Sequence, residues 1–353
     1  MSKIIPKRAP GFFDYDQRLE KLSQTVQPLE RLDARIDWEM FRPALEELIL
    51  KKGKAPGGRP RHDLVMMFKI MVLQRYYNLS DEQAEFQIND RLSFQKFLGM
   101  TLADAVPDQK TIWLFREMLG RGDGVKKLFK SFDRHLASKG LVGKEGKIID
   151  ASFVDVPRQR NSRDDNAKIK NGEVPESFTK NENVGEQKDV DARWTKKNNE
   201  VHYGYKDHVK ADAKTKLIEE YVVTAASVHD SQAVEDLVEE GDGPLWADSA
   251  YAGEPIEEVL AKKKIEGKIH EKGYRNHPLT EAQKISNREK SRIRVRIEHI
   301  FGHMTNSMRD GLKMRFIGMR RTKAGIGLLN LVYNMARYEQ IMRLQLAWAP
   351  ACR

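Results

Sequence analysis

The 353-residue chain has one cysteine, Cys352. One cysteine makes no internal disulfide and no cysteine-based zinc site. No stretch approaches the ~18 uncharged apolar residues of a membrane span. The most apolar run, Leu64 to Leu73, is interrupted by Lys69. The first thirteen residues, MSKIIPKRAPGFF, lack the apolar centre of a secretory leader, so a reducing, cytoplasmic setting is expected. Acidic residues are also outnumbered: Lys and Arg total 62 against 52 Asp and Glu, a formal net charge of +10. Such an excess suits a polyanionic partner but specifies no fold. With 40% hydrophobic and 32% charged residues the chain can bury a core, which excludes wholesale disorder.

The positive charge is concentrated. Residues 261–323 hold 18 Lys and Arg but 6 Asp and Glu, a net of +12, so the remaining 290 residues sum to −2. One segment supplies the whole excess, as expected of a phosphate-backbone binder.

Residues 1–140 read as a helical N-terminal domain. Trp38, Phe41, Leu45, Leu48 and Ile49 recur at helical spacing, turn formers interrupt at 52–60, and 62–77 is a strongly apolar helix. Ser80 with Gln83 three residues on is a capping-box pattern. A further helix is predicted from Asp108 to Leu119. Such short helices suit either a helix-turn-helix-like DNA module or a packing domain. The basic stretch 57–61, ending in Arg61, reads as a minor-groove arm or a linker.

The texture changes after 140. Lys147 to Val156 is β-branched and nearly continuously apolar, as for a strand buried on both faces. Residues 157–200 hold 10 basic, 9 acidic and only 8 hydrophobic residues, and are expected to form a long, mobile surface insertion. Strands are predicted over 203–211 and 217–226, joined by a turn at 212–216. A helix over 231–240, a short strand 245–248, a helix over 254–264 with Pro255 in its first turn, a strand 267–271, and helices over 286–308 and 322–347 follow. The fold class is therefore α/β: an RNase-H-like mixed sheet flanked by helices over 141–353, preceded by the all-α N-terminal domain. Sites in such sheets gather at the carboxyl ends of parallel strands.

Three acids stand at special places in this order. Asp150 interrupts an apolar strand, where a carboxylate is costly unless satisfied. Asp248 ends the short strand 245–248. Glu298 flanks an apolar stripe of Ile293, Ile297, Ile300, Phe301, Met304 and Met308, with Arg294 one turn earlier on its side. Carboxylates from separate elements suit phosphodiester cleavage or transfer: hard Mg²⁺ takes oxygen ligands at about 2.1 Å. Two such ions about 4 Å apart can activate an attacking oxygen and stabilise a leaving one. Each acid also has a purely structural explanation. Asp150 can accept a buried hydrogen bond, Asp248 can cap the next turn, and Glu298 can pair with Arg294. Asp155, Asp207, His229 and Asp230 are weaker candidates, the last two able to cap the helix at Ser231.

Several blocks carry a resemblance. They are Leu79-Ser80-Asp81-Glu82, Asp90 through Gly99, Pro107 through Thr111, Asp191 through Lys197, Tyr203 through His208, Val228-His229-Asp230-Ser231, Ala247 through Tyr251, and Arg294-x3-Glu298-His299-x-Phe301-Gly302. In this order they resemble bacterial insertion-sequence transposases of the Asp-Asp-Glu type, in the insertion-sequence-five family. The resemblance implies that Asp150, Asp248 and Glu298 are catalytic and hold Mg²⁺, with Mn²⁺ able to substitute. It also implies that Arg294 contacts phosphate near the cleaved bond. Arg292, Arg296, Lys206, Trp194 and Arg61 join Arg294 as candidate DNA contacts, Trp194 as a surface for a flipped base or as a packing residue. Two positions depart from the family pattern: Ser291 stands where Tyr is common and Thr305 where Lys is common. The activity so implied is cleavage at the element's ends and joining of the 3′-OH to target DNA. The partners are terminal inverted repeats and target DNA, bound by a homodimer in the cytoplasm at the nucleoid. A nuclease that cleaves without joining, and a DNA-binding repressor with an inactive core, are the alternatives.

Overall fold

A computed structural model describes residues 11–24, 27–50, 61–143, 145–197, 199–274 and 277–344. Residues 57–60 of the stretch 57–61, Cys352 and the end of the last predicted helix lie outside them.

Among the described residues eight α-helices come first: α1 (Asp14–Gln24), α2 (Pro28–Arg35), α3 (Arg42–Ile49), α4 (Leu64–Tyr77), α5 (Asp81–Asp90), α6 (Leu92–Leu98), α7 (Gln109–Leu119) and α8 (Gly124–Ser138). α4 is apolar on every side and is accordingly enclosed by its neighbours. Asp63 caps its start by accepting from the Met66 amide at 2.9 Å, and Asn78, at φ 49°, ends it. The capping box at α5 forms as expected: the Gln83 amide donates to Ser80 Oγ at 3.1 Å, and the Ser80 amide to Gln83 Oε1 at 3.0 Å.

The sheet contains β1 (Lys147–Asp155), β2 (Arg193–Lys197), β3 (Glu200–Asp212), β4 (Ile218–Ala225), β5 (Leu245–Ala247) and β6 (Gly267–Ile269). β3 pairs antiparallel with β1 on one side and with β2 and β4 on the other; β5 and β6 continue beyond β1 in parallel. Both faces are covered, so β1 is apolar with little alternation. Ile148 and Val154 face one core and Ile149 the other. α14 (Glu281–Gly302) and α15 (Met319–Leu344) lie on the first face; α12 (Val234–Leu237) and α13 (Glu254–Lys262) lie on the second.

α15 is the seam of the molecule. It packs against α2, α4, α8 and β4, so one hydrophobic core runs from the N-terminal helices into the sheet. Tyr338 sits edge-on to Phe132, which stacks on Phe41, at ring separations of 6.1 and 6.3 Å. Gly327 lets α15 approach this closely: a Cβ there would collide with the Tyr221 hydroxyl and lie 2.9 Å from Val125.

Three details differ from the sequence expectation. The segment 157–200 is not structureless. It carries α9 (Arg163–Lys170), α10 (Glu176–Thr179), α11 (Glu182–Gly185) and the edge strand β2. Buried Asp189 anchors it, accepting from the Tyr205 hydroxyl at 2.6 Å and from the Ala192 and Gly318 amides at 2.9 Å each. The helix expected over 231–240 shrinks to a 3₁₀ turn, Asp230–Ala233, and the single turn of α12. α14 starts earlier than expected because Thr280 and Gln283 form a capping box. It ends in a π-type turn over His303–Ser307.

Candidate active site

The parallel register pairing Ile148 with Trp246 brings Asp150 level with Asp248, the residue that leaves β5. Asp150 shares the sheet face of Ile148 and so points toward α14. Its Oδ1 accepts from the Ala151 amide at 2.8 Å. Burial pushes its carboxyl up to about 6; the Ala151 amide opposes this, the Asp248 charge adds to it, and Arg294 opposes it. Asp248 Oδ1 caps the 3₁₀ turn Ser249–Tyr251, accepting from the Ala250 amide at 2.8 Å.

Glu298 reaches this pair through Arg294. The guanidinium donates to Asp150 Oδ2 at 3.2 Å and to Glu298 Oε1 at 3.1 Å, joining the first and third acids through one cation. The Glu298 side chain stays 54% exposed, open to an incoming ligand. Asp248 supplies no bond to this bridge. Among the described residues, no three His, Cys, Asp or Glu side chains gather closely enough to hold a metal ion; the guanidinium stands between two of the carboxylates instead.

Two further residues belong to this neighbourhood and were not singled out in the sequence. His270 follows β6, whose Ile269 pairs with Ala247, so it lies beside Asp248. Its Nε2 is 3.2 Å from the Ser291 hydroxyl on α14. Burial and the Arg294 charge hold the imidazole below its ordinary value. Tyr251 is fully buried, and its hydroxyl lacks a partner. Burial and the charges of Asp150, Asp230 and Asp248 drive its hydroxyl far above the ordinary range. α14 is fixed along β6: Asn287 exchanges hydrogen bonds with the Glu271 backbone at 2.9 and 3.0 Å, and Lys290 donates to the Ile269 carbonyl at 2.8 Å.

The other expected residues have varied surroundings. Arg292 is exposed on the outer side of α14. Arg296 donates to the Ala213 carbonyl at 2.7 Å. Lys206 is buried, with its ammonium 2.7 Å from both Asp230 Oδ1 and the Val228 carbonyl. Trp194 is 52% exposed on the edge strand, with Arg158 5.2 Å over its ring and Tyr203 4.8 Å away. Arg61 is exposed and donates to the Ile49 carbonyl at 3.3 Å. Among the weaker acids, Asp155 lies 3.7 Å from His202 Nδ1, Asp207 is wholly buried against Asn330, and Asp230 serves Lys206. His229 Nδ1 pairs with the Ser231 hydroxyl at 2.8 Å, capping the turn.

The chain shares two domains with known families. Residues 142–335 match the transposase DDE domain, and residues 17–118 match a second transposase domain, DUF772. No solved structure matches the chain. No helix among the described residues is long and apolar enough to cross a membrane. The first match spans the whole sheet and more than half the sequence, with Asp150, Asp248 and Glu298 inside it, and the chain belongs to the transposase DDE-domain family of insertion-sequence transposases.

Proposed function

We propose that this transposase cleaves the ends of its own insertion element and joins the freed 3′-OH to target DNA, with Asp150, Asp248 and Glu298 as the catalytic acids. The observation that carries the reading is the single guanidinium bridging Asp150 and Glu298, with Asp248 level with Asp150. The donor chemistry, three carboxylates from separate elements, suits a hard divalent ion once Arg294 releases the two acids it bridges. Those residues would hold Mg²⁺, or Mn²⁺ in its place. When bound, the ions supply Lewis-acid stabilisation of the attacking and leaving oxygens.

The chain's own residues do the rest. Asp150 presents Oδ2 toward α14 because the Ala151 amide fixes its other oxygen. Glu298, the most exposed of the bridged groups, can turn toward an attacking water and orient it. Arg294 exchanges its carboxylate partners for the phosphate at the cleaved bond, placing its fork of donors on the phosphate oxygens. Water attacks first and leaves a 3′-OH; that hydroxyl then attacks the target phosphodiester, and no covalent enzyme intermediate forms. Exposed Arg292 and Arg61 contribute phosphate contacts, and Trp194 a stacking face. Lys206 and Arg296 already serve protein partners and contribute less. The helical N-terminal region carries end recognition for a homodimer acting in the cytoplasm at the nucleoid, which light scattering on the DNA complex and cell fractionation test.

The decisive assay incubates purified protein with labelled element ends and Mg²⁺. Wild type is expected to nick the ends and to join pre-cut ends to a target plasmid, while Glu298→Gln does neither. Equal cutting by Glu298→Gln would refute the assignment. Cutting without joining would select the nuclease alternative, and binding without cutting the repressor.

A further inference from the structure

On the outer flank of α14, beyond Glu298, lies a cavity of about 190 Å³ lined by Lys216, His299, His303, Tyr333, Arg337 and Gln340. It is several times the ~30 Å³ that one water occupies in the liquid. Three elements far apart in sequence build it: the β3–β4 turn, the end of α14 with its π-type turn, and the second half of α15. None of the residues lining it is acidic. The surrounding residues add a further cation, Arg296, whose charge reaches Lys216 as that of the lining Arg337 does. Lys216, His303 and Arg337 are half-buried and His299 is exposed, and like charges gathered side by side without a counter-charge repel one another.

The Lys216 ammonium, which has no lone pair, donates to His299 Nδ1 at 2.7 Å. With Nδ1 accepting, the ring nitrogen of His299 left to donate is Nε2, on the side away from Lys216. His303 Nε2 is buried and has no partner, and its ring stands edge-on to Tyr333 at 5.6 Å. Arg337 is held in place by the Thr215 carbonyl at 2.7 Å and by Gln340. Lys216 adopts φ 62°, a backbone conformation costly for a lysine, and the Tyr333 hydroxyl holds its carbonyl at 2.8 Å. Burial and the neighbouring cations hold the Lys216 ammonium and the His303 imidazole below their ordinary values.

We propose that this pocket is a phosphate-binding site, its donors being Lys216, Arg337, His299 and His303. His299 adjoins Glu298 in sequence and leaves α14 about 100° around the helix from it. The pocket therefore lies within about one helix width, ~10–12 Å, of Glu298, where a DNA strand would enter the active site. A second backbone phosphate of that strand is the occupant this placement favours. That part rests on the proposed function; the phosphate chemistry of the pocket does not.

Two arms on the full-length protein separate the sources. In the first, inorganic phosphate is titrated against chloride at matched ionic strength while the melting temperature is followed. Wild type is expected to show a saturable rise that Lys216→Asn abolishes; asparagine tolerates the positive φ, so the variant is expected to fold. Arg337→Gln should behave likewise, and Lys216→Asn decides the matter if Arg337→Gln misfolds. In the second arm, affinity for an element-end duplex is measured across salt concentrations. Lys216→Asn is expected to lower the slope of log K against log salt by about one phosphate's worth, ~0.9. A phosphate effect with an unchanged DNA slope would keep the site and overturn DNA as its source. No phosphate effect and no slope change would overturn the site. A protein that binds phosphate in this pocket but no DNA would refute the proposed function and leave the pocket standing.

Discussion

Replacing Asp207 with asparagine is expected to stabilise the protein at neutral and alkaline pH. Asp207 is completely buried on the α15 side of β3. Asn330 donates to its Oδ1 at 3.1 Å, while Asp207 Oδ2 and Asn330 Oδ1 are both buried and lack partners. One proton on Oδ2, donated to Asn330 Oδ1, would satisfy both orphans and close an acid–amide ring. Burial raises the carboxyl to about 7, against the opposing Asn330 hydrogen bond and the Lys126 charge. In the unfolded chain the same group titrates near ~3.9. Between those values the unfolded state has lost a proton that the folded state keeps, so stability falls as pH rises. The slope approaches ~1.4 kcal/mol per pH unit, and the full loss is about 4 kcal/mol once pH exceeds the folded value. Asparagine supplies the same donor and cannot ionise. Urea unfolding of wild type and Asp207→Asn, followed by tryptophan fluorescence from pH 5 to 8.5, measures the difference. The variant's advantage should widen by ~1.4 kcal/mol per unit up to pH ~7 and then level off. Parallel pH profiles for the two proteins would refute the buried acid, and so would a variant less stable than wild type at pH 8.

Lys206→Met should cost about 3–5 kcal/mol, because it strands the buried Asp230 carboxylate. Adding Asp230→Asn should restore most of the melting temperature, and a singly substituted protein melting like wild type would contradict the pairing. Tyr251→Phe removes a buried hydroxyl that has no partner, and such groups cost roughly 1–3 kcal/mol. The variant should therefore be as stable as wild type or more so in chemical denaturation; a clear loss would mean that the hydroxyl has a partner. Gly327→Ala forces a methyl against Tyr221 and Val125 and should cost about 1–3 kcal/mol. Unchanged unfolding would show that α15 packs less tightly than described.

Much of the architecture was legible where burial imposes a pattern. β1 reads as a strand enclosed on both faces because it is one, and the stripe from Ile293 to Met308 fixes the side of α14 that meets the sheet. The placement of Asp150 and Asp248 follows from strand order and parallel register, which the element sequence already implied. β2 was hidden because an edge strand of Arg, Trp, Thr and Lys pairs on one side only and need not alternate. Lys206 illustrates a different limit. A lysine in a strand looks the same in sequence whether it meets a phosphate or a buried aspartate, and here Asp230, 24 residues away, decides. The basic pocket has no sequence signature, since residues 216, 299, 303 and 337 meet only through the packing of three elements. His270 was readable in principle: it follows a strand parallel to the one that delivers Asp248.

The position of α15 at the seam has a consequence for how the protein is made. The surfaces of α4 and α8 that α15 covers emerge from the ribosome long before it does, with roughly 180 residues between the end of α8 and the start of α15. At ~5–20 residues per second the nascent N-terminal helices wait about 10–40 s with those apolar faces uncovered. A protein stopped short of α15 lacks more than its tail: the N-terminal helices lose part of their own core. Emergence of α15, rather than synthesis of the N-terminal half, is then the event that completes the core of those helices, and products lacking α15 are the ones exposed to proteases and chaperones.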